Sequence, residues 1–288
     1  MVLADKWKDY RVIATGDGYK LEKWKDVILL RPDPQVIWPA ETDMENYPGL
    51  NAKYVRSETG GGKWINYKPM PREWVISYGD LRFLIKPMGF KHTGLFPEQA
   101  ANWDKMSALI KNAGREISVL NLFAYTGGAT VACLKAGASV CHVDAARAMV
   151  ERAGENCRLS GVGEGKVRFI IDDCLKFVRR EIRRGRKYDA IIMDPPSFGR
   201  GPNGETWKIE NELFNLVGTC VEVLSDNPLF FLINSYTTGL QPQVIKNVLA
   251  LNLKNYGGKI DAYEIGLKTD GVACLPCGCS GLWTPEKG

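Results

Sequence analysis

The sequence of 288 residues lacks any long apolar run. None of its apolar segments approaches the roughly 18 consecutive residues that a helix needs to cross a bilayer. The first six residues also lack the apolar stretch of a secretory signal peptide. We therefore expect a cytoplasmic protein with no membrane partner. In that compartment the eight cysteines are expected to be reduced thiols rather than disulfides.

A strong excess of charge of one sign is also missing. The chain has 38 basic and 33 acidic residues, and its net charge of +5 permits a nucleic-acid partner without requiring one. With 45% hydrophobic and 25% charged residues, the composition is that of a globular protein and excludes a disordered, collagen-like or coiled-coil chain. At roughly 150 residues per domain, the length predicts one large or two modest domains.

Residues 1–90 contain short apolar segments separated by turn-forming residues. Five of the eight tryptophans fall in this region, where core filling is the ordinary role of such side chains. The pattern predicts a small β-rich N-terminal domain at residues 1–90. Its predicted strands are residues 10–14, 27–30, 74–77 and 81–86.

Residues 91–288 alternate apolar strands with helices, several of which end in glycine. This alternation predicts an α/β domain with a parallel, Rossmann-like sheet that helices cover on both faces. The predicted strands are residues 118–123, 139–143, 167–171, 188–193, 229–233 and 259–265. The predicted helices are residues 97–112, 129–136, 146–160, 174–184, 205–224 and 242–255.

Ligands of such a sheet bind beyond the carboxyl ends of its strands, so the loops that follow strands hold the candidate site residues. The first strand runs into Asn-Leu-Phe-Ala-Tyr-Thr-Gly-Gly at residues 121–128. The glycines let a ligand approach the backbone, and the amides at the start of the next helix can bind a carboxylate or phosphate. A tight turn without a ligand is the alternative. The dinucleotide fingerprint G-x-G-x-x-G is absent, which disfavours a nicotinamide cofactor.

Carboxylates follow the next two strands. Asp144 ends the second strand, where an acid can accept hydrogen bonds from both hydroxyls of a ribose or can instead cap the following helix. Asp172 and Asp173 follow the third strand. One of them could accept a hydrogen bond from an adenine amino group while the other caps the next helix, and we favour Asp173 for the ligand.

The fourth strand ends in Asp-Pro-Pro-Ser-Phe-Gly at residues 194–199. Two consecutive prolines restrict the backbone and hold Asp194 at the edge of the sheet. A carboxylate there can orient a nucleophile or accept its proton, and Phe198 can stack on a planar base turned out of its helix. A purely structural turn is the alternative. The predicted catalytic residues are Asp194, Pro195, Pro196 and Phe198.

Together these motifs resemble the class I S-adenosylmethionine-dependent methyltransferases, in particular the large-subunit ribosomal RNA methyltransferases, a group that includes cytosine-5 enzymes. The resemblance covers about residues 90–240 and rests on several motifs in a fixed order. These are Thr-Gly-Leu-Phe-Pro-Glu-Gln at residues 93–99, residues 121–128, Val143-Asp144, Glu155-Asn156, Asp173 and residues 194–199.

The resemblance implies that S-adenosylmethionine is the cofactor. Its methionine end would lie along Phe123, Ala124 and Gly127. Asp144 would bind the ribose and Asp173 the adenine, while Asp194 would face the reactive methyl group with Phe96 and Gln99 nearby. The expected cofactor-binding residues are Phe96, Gln99, Asn121, Phe123, Ala124, Tyr125, Thr126, Gly127, Asp144, Asp172, Asp173 and Asp194.

The sequence departs from the cytosine-5 enzymes of this group in its cysteines. Methylation at that carbon requires a cysteine thiolate that attacks the ring. The loop after the fourth strand offers Ser197, and residues 234–239 after the fifth strand contain no cysteine. Cys174 lies at the expected adenine end of the cofactor. We therefore expect direct methyl transfer to a nitrogen or oxygen, which needs only in-line alignment and removal of a proton.

Two further clusters are predicted to lie outside the site. Cys274, Cys277 and Cys279 have close spacing, but a structural zinc site normally takes four ligands, so we predict no metal and a small-residue turn at residues 276–281 between two closing strands. The basic run at residues 179–187 falls at a helix C-terminus, where cations offset the helix dipole. Its place on the edge opposite the site allows contact with distant RNA phosphates but no part in the catalytic pocket.

The sequence thus favours a methyltransferase of RNA, with a base of ribosomal RNA as the acceptor. Three alternatives remain at this point. They are a methyltransferase of a protein or a small molecule, a nicotinamide-dependent oxidoreductase, and a non-catalytic RNA-binding protein with the same fold.

Overall fold

The computed structural model describes residues 1–57, 61–89, 91–200 and 206–286. Within it the chain forms two compact units. The β-rich unit comprises Val2–Ala101 and Ile265–Cys277, and the α/β unit comprises Asn102–Glu264 and the segment from Gly278, together with Met1. Phe90, at the predicted domain boundary, and Glu205, at the start of a predicted helix, lie outside the described residues.

The β-rich unit is built from eight N-terminal strands. A five-stranded sheet has the order β2-β3-β4-β5-β6, in which only β4 and β5 pair in parallel, and β7 and β8 form a separate antiparallel pair. The prediction of a β-rich N-terminal region is confirmed, although the sequence did not indicate β3, β5 or β6. The strands are β1 (Val2–Leu3), β2 (Tyr10–Gly16), β3 (Tyr19–Trp24), β4 (Val27–Pro32), β5 (Leu50–Arg56), β6 (Gly62–Asn66), β7 (Trp74–Tyr78) and β8 (Leu81–Ile85).

A buried ion pair joins two adjacent strands of this unit. Both carboxylate oxygens of Glu22 on β3 accept from the guanidinium of Arg31 on β4, at 2.6 and 2.8 Å, and the Tyr10 hydroxyl donates to the same carboxylate. Arg31 also donates to the Lys91 carbonyl at 2.8 Å, and its guanidinium lies 5.3 Å from the Trp24 ring. Burial opposes ionisation of Glu22, but the Arg31 and Lys20 cations, together with the hydrogen bonds from Arg31 and Tyr10, outweigh it and hold the pKa of this carboxyl at about 2.

The α/β unit alternates helices with strands, as predicted. The helices are α1 (Ala100–Lys111), α2 (Gly128–Lys135), α3 (Arg147–Leu159), α4 (Cys174–Arg183), α5 (Ile209–Val221) and α6 (Pro242–Asn252). The strands are β9 (Ser118–Leu122), β10 (Ser139–Asp144), β11 (Val167–Ile171), β12 (Ala190–Met193), β13 (Phe198–Arg200), β14 (Thr206–Lys208), β15 (Phe230–Ser235), β16 (Lys259–Lys268) and β17 (Cys274–Thr284).

The large sheet has the strand order β16-β17-β15-β12-β9-β10-β11. Strands β15, β12, β9, β10 and β11 pair in parallel, which confirms the Rossmann-like α/β fold class. The expectation of parallel strands throughout is wrong at β17, which pairs antiparallel with β15. β1 pairs with the part of β16 that belongs to the β-rich unit.

Two local predictions are wrong. Thr206–Lys208 is not helical but forms strand β14, which pairs with β13, and helix α5 begins only at Ile209. The small residues predicted to form a turn lie inside the 11-residue strand β17. Their size serves packing, because a Cβ at Gly281 would come within 2.6 Å of the Ile245 side chain on α6, and one at Gly278 within 2.7 Å of a backbone oxygen of β15.

The cysteines occur as free thiols, and seven of the eight are buried. No helix in the described part of the chain is both long enough and apolar enough to span a bilayer.

Candidate active site

The carboxyl ends of the parallel strands meet at one edge of the sheet. In the strand register Leu122 is paired with Val143 and with Met193, Asp144 with Ile171, and Met193 with Ile233. The loops that leave these strands are therefore neighbours in space. They are residues 123–127, 145–146, 172–173, 194–197 and 236–241.

The loop at residues 123–127 has an unusual backbone. Phe123 and Tyr125 have φ angles of 53° and 51°, which non-glycine residues rarely adopt, and Gly127 has a φ of 81°. A residue with a side chain does not fit at position 127, because a Cβ there would lie 2.8 Å from the Cβ of Ala153 on α3. Left-handed residues of this kind need support from their surroundings, and they are found preferentially at ligand sites.

Two side chains from neighbouring elements, at the start of α4 and the end of β10, provide that support. The Phe123 amide donates to the Cys174 sulfur at 3.2 Å, and the Tyr125 amide donates to Oδ2 of Asp144 at 2.8 Å. Burial raises the pKa of the Cys174 thiol far above its ordinary value. Cys174 is therefore a neutral, buried group that holds the loop, and it has none of the thiolate character that a nucleophile needs.

Asp144 connects two loops at the end of β10. In addition to Tyr125, it accepts from the Ala146 amide, through Oδ1 at 2.8 Å. Ala146 is the N-cap residue of α3, so this bond reaches the residue before the first helical turn and not an amide within that turn. The side chain is half-buried. Each carboxylate oxygen has a second lone pair, which leaves acceptor capacity for two hydroxyl donors.

The structure separates the roles of the two acids after β11. Asp173 is the N-cap of α4 and accepts from the Lys176 amide through Oδ1 at 2.8 Å. Asp172 accepts from the Asp173 amide through Oδ1 and forms an ion pair with Arg180 through Oδ2. Capping therefore belongs to the residue that we favoured for the ligand, but capping engages only one oxygen of Asp173. Both oxygens of Asp172 are engaged within the protein.

The expected site residues Asn121, on β9, and Thr126, within the loop at residues 123–127, are both buried. Asn121, with 3% of its surface exposed, donates to Thr130, and Thr130 is hydrogen-bonded to Nδ1 of His142 at 2.9 Å. The Thr126 carbonyl accepts from the buried Asn156 amide at 2.8 Å. Burial lowers the pKa of His142 to about 4, so this histidine is neutral near pH 7 and supports the loop as an uncharged hydrogen-bonding group.

The Asp-Pro-Pro loop is held by the antiparallel pair of β13 and β14. Asp194 is half-buried, whereas Phe198 has 51% of its surface exposed. The indole of Trp207 on β14 donates to the Pro196 carbonyl at 2.6 Å, and its ring centroid lies 6.2 Å from that of Phe123. Trp207 thus links the Asp-Pro-Pro loop to the loop after β9. Sequence reasoning missed it because the helical pattern after it was extended over residues 205–208.

A pair of hydroxyls lies where the loops after β12 and β15 meet. The Oγ of Ser197 is 2.6 Å from the Oγ1 of Thr237. Cys279, on β17 opposite Ser235, is buried and donates to the Leu240 carbonyl at 3.0 Å. Burial raises the pKa of its thiol to about 11. The described residues of the loops after β12 and β15 therefore present the hydroxyls of Ser197 and Thr237. The thiol of Cys279, on the strand paired with β15, is protonated near pH 7.

A second support that the sequence did not indicate lies at the end of β15. Asn102 of α1 donates to Asn234 and Ser280, both at 2.9 Å, and accepts from the Tyr263 hydroxyl at 2.7 Å. All four side chains are buried. Satisfied buried networks of this kind fix the backbone on which they are built. This one fixes the strand end from which the loop of Thr237 departs.

Phe96 and Gln99 belong to the β-rich unit. Gln99 is buried in a short 3-10 turn, Pro97–Gln99, and its backbone N–H donates to the Phe96 carbonyl at 3.1 Å. The Phe96 ring packs edge-on against His92 with centroids 5.5 Å apart. Burial, with the nearby Arg31 cation, lowers the pKa of His92 to about 4.

The chain matches a protein family model and resembles solved structures of methyltransferases. The family model described as S-adenosylmethionine-dependent methyltransferase matches residues 45–224. A crystal structure of a SAM-dependent methyltransferase from Agrobacterium tumefaciens has a TM-score of 0.92 and 30% identity, covering 99% of this chain and 94% of that one. A candidate methyltransferase complexed with SAH shares the fold, with a TM-score of 0.76 and 18% identity, covering 97% of this chain and 76% of that one.

Curated relatives carry the name ribosomal RNA large subunit methyltransferase K/L. The one from Shewanella sp. (strain MR-4) is 32% identical over 236 residues, which cover 78% of this chain and 31% of the relative. The one from Methylococcus capsulatus is 33% identical over 147 residues, which cover 51% of this chain and 19% of the relative. The chain thus spans less than a third of the length of these relatives.

Proposed function

Because the chain belongs to the family of S-adenosylmethionine-dependent methyltransferases, we propose that it transfers the methyl group of that cofactor to a nitrogen or oxygen of RNA. The observation that carries the proposal is the meeting of three loops at one sheet edge. These are the left-handed loop at residues 123–127, the Asp-Pro-Pro loop at 194–197, and the Thr237 loop, which approach one another through the contacts of Trp207 and Ser197.

The residues present fit the cofactor by the chemistry of their donors and acceptors. A ribose offers two hydroxyl donors, and both oxygens of Asp144 retain a lone pair beyond the amides that they accept. An adenine amino group is a donor, and capping leaves Asp173 one oxygen for it, whereas Asp172 is engaged by Arg180. The backbone of Phe123, Ala124 and Gly127 would line the methionine end.

When bound, S-adenosylmethionine supplies an electrophilic methyl group on sulfur. Asp194 stands at the end of the central strand β12, where its carboxylate would orient the acceptor or take its proton. Pro195 and Pro196 hold that carboxylate in place, together with the Trp207 bond to the Pro196 carbonyl. Phe198, half-exposed on β13, would stack on a planar acceptor.

The thiols of the α/β unit support direct transfer over cytosine-5 chemistry. A covalent step on the ring needs a thiolate at the acceptor loops. Ser197 and Thr237 occupy those loops, and Cys174 and Cys279 are buried, protonated and hydrogen-bonded to the backbone. Transfer to a nitrogen or oxygen has no such requirement.

The names of the K/L relatives support RNA as the substrate class, with a base of ribosomal RNA as the acceptor. Such a substrate implies a cytoplasmic protein. Family membership removes the nicotinamide-dependent oxidoreductase from the alternatives. A protein or small-molecule substrate and a non-catalytic role in RNA binding are outcomes of the following experiment.

The test is transfer of tritiated methyl from S-adenosylmethionine into an extract of host cells that lack the gene. The extract is fractionated into RNA, protein and small molecules, and the Asp194→Ala protein serves as the blank. We expect label in RNA and none of it in 5-methylcytidine after nucleoside analysis. Label confined to protein or small molecules would overturn the proposed substrate, and bound cofactor without any transfer would indicate a binding protein.

Replacement of Asp144 by alanine is expected to weaken cofactor binding by about 1–3 kcal/mol, because hydrogen bonds to a charged acceptor are lost. The dissociation constant of S-adenosylmethionine, measured by calorimetry, checks this. Asp226→Ala removes one exposed carboxylate after α5 and is the matched control. Equal affinity of the Asp144 variant and the control would reject the ribose role of Asp144.

Asp173→Ser separates helix capping from ligand binding. Serine caps a helix as well as aspartate does, so the stability of α4 should be retained. Loss of the second carboxylate oxygen is expected to weaken cofactor binding by about 1 kcal/mol, or roughly fivefold. Asp172→Ala is the comparison, for which we expect affinity within about twofold of wild type. If only the Asp172 variant loses affinity, the adenine role belongs to that residue instead.

A further inference from the structure

A basic surface lies at the amino ends of the strands in the α/β unit. It consists of Lys166, Arg168, Arg186 and Lys187, which line a cavity of about 280 Å³. Ser118 and Ser139, at the starts of β9 and β10, line the same cavity. Every side chain in this lining is basic, neutral polar or apolar. The cavity therefore offers donors and positive charge without a carboxylate at its surface.

The tertiary structure assembles this surface from two separate segments. Lys166 immediately precedes β11 and Arg168 is the second residue of that strand, whereas Arg186 and Lys187 follow the C-terminus of α4. The helix dipole accounts for cations in the last turn of α4, such as Arg183. It does not account for cations that a neighbouring strand places in the same cavity.

The acids of this region neutralise only part of its positive charge. Residues 166–187 contain nine basic and three acidic residues, a net charge of +6, whereas the whole chain has +5. The rest of the protein is therefore close to neutral. Two acids beside the surface are already engaged. Glu181 is 1% exposed and is bound by Arg184 at 2.9 Å and by Tyr188 at 2.6 Å, with Arg168 3.7 Å away. Asp189 accepts from the Ser118 hydroxyl at 2.9 Å and pairs with Arg115 at 2.9 Å.

Three of the four cations remain available for a ligand. Lys166, Arg186 and Lys187 are exposed and form no ion pair with any residue in the described part of the chain. The ammonium of Lys187 donates to the Glu222 carbonyl at 2.8 Å, which holds the charge in position and leaves it two further protons to donate. Exposed cations without partners repel one another, and an anionic ligand relieves that repulsion.

We propose that this basic surface binds the phosphate backbone of the RNA substrate, far from the methyl-transfer site. A concave group of cations admits phosphate groups, and a planar bilayer surface could not enter it. The surface and Asp194 lie at opposite ends of strands that are four to six residues long, so about 13–20 Å of sheet separates them. The inference rests on the proposed RNA substrate, and it assigns a positioning contact rather than a catalytic one.

The test is the salt dependence of RNA binding in the full-length protein. The probe is fluorescein-labelled 20-nucleotide single-stranded RNA, and the variant is Lys166→Gln with Arg186→Gln and Lys187→Gln. Arg168 is kept because it approaches the buried Glu181. Each lost phosphate contact lowers the slope of log K against log salt by about 0.7. We therefore expect a slope smaller by about 2 and at least tenfold weaker binding at about 0.1 M salt.

The matched control is Lys111→Gln with Lys135→Gln and Lys246→Gln, three exposed lysines elsewhere in the α/β unit. It removes the same charge, so long-range electrostatics affects both triple variants equally. In methyl transfer we expect the basic-surface variant to raise KM for RNA while kcat and cofactor affinity stay within about twofold of wild type. A merely structural role would lower cofactor affinity and melting temperature as well.

The inference is overturned if both triple variants lose the same affinity, or if wild-type protein binds the RNA without salt dependence. Failure of the proposed function looks different. In that case the wild-type protein would bind RNA through the basic surface but would transfer label only to protein or small molecules. This result would contradict RNA as the methyl acceptor, while the basic surface would still be an RNA-binding surface.

Discussion

Asp194→Ala is expected to abolish methyl transfer while leaving the affinity for S-adenosylmethionine nearly unchanged. The carboxylate lies at the end of β12, in a loop fixed by two prolines and by the Trp207 bond to the Pro196 carbonyl. A positioned group that takes or directs a proton contributes about 10²–10⁴ to the rate. Single-turnover methyl transfer and calorimetric titration of the cofactor measure the two quantities separately.

Asp194→Asn distinguishes orientation from proton removal. The amide retains the size and one acceptor oxygen of the carboxylate, so an orienting role predicts partial activity with an unchanged pH profile. A proton-accepting role predicts loss similar to that of the alanine variant. Asp226→Ala is again the exposed control and should match wild type. Equal loss of transfer and of cofactor binding in Asp194→Ala would show that the residue acts in binding, and the assigned role would be wrong.

Glu22→Ala is expected to lower the free energy of unfolding by about 3–5 kcal/mol, because it leaves the Arg31 guanidinium buried without its partner. The Glu22 carboxylate is fully buried and accepts from Arg31 and Tyr10, while Arg31 also holds the Lys91 carbonyl. Urea denaturation followed by tryptophan fluorescence measures the effect, and Trp24 beside the Arg31 guanidinium is a reporter within the β-rich unit.

The same pair predicts the acid sensitivity of the protein. The pKa of Glu22 is about 2 in the folded protein, below the ordinary value of 4.5, so ionised Glu22 contributes stability above pH 4.5. That contribution should be lost as the pH falls from 4.5 towards 2. Glu22→Gln should lack this part of the acid transition, and an acid profile identical to that of wild type would contradict the assignment.

Two controls separate the ion pair from general effects. Glu73→Gln removes one partner of the half-exposed pair with Lys86, at 3.6 Å, and should lower stability by no more than about 1 kcal/mol. Glu22→Leu combined with Arg31→Met replaces the buried charges by apolar groups and should recover part of the lost stability. A double variant less stable than Glu22→Ala would mean that the bond from Arg31 to the Lys91 carbonyl dominates.

The positions of the candidate site residues along the fold could be predicted from the sequence. Asp144, Asp173 and Asp194 each follow an apolar strand, and the strands alternate with helices, so the parallel sheet and its carboxyl edge follow from local periodicity. The family resemblance rests on the same strand ends. The order of elements along the chain could not give the hydrogen-bond partners of these side chains, because the partners belong to elements that are adjacent in space and distant in sequence.

Particular contacts show where tertiary structure decided the outcome. Asp173 caps α4, whereas Asp172 pairs with Arg180, about two turns further along the helix. Trp207 lies at the site because β14 pairs antiparallel with β13, although the sequence pattern around Trp207 predicts a helix. The hydroxyls of Ser197 and Thr237 met because β12 and β15 are neighbours in the sheet.

The fold class, the loops that hold the candidate site and the absence of cysteine from the acceptor loops all follow from the amino-acid sequence, since each depends on residue types at strand ends. Two other features arise from packing: residues 265–277 join the β-rich unit, and Lys166 and Arg168 meet Arg186 and Lys187 in one cavity. Strand and helix patterns are local, whereas burial, ion pairing and charge clustering depend on which elements pack together.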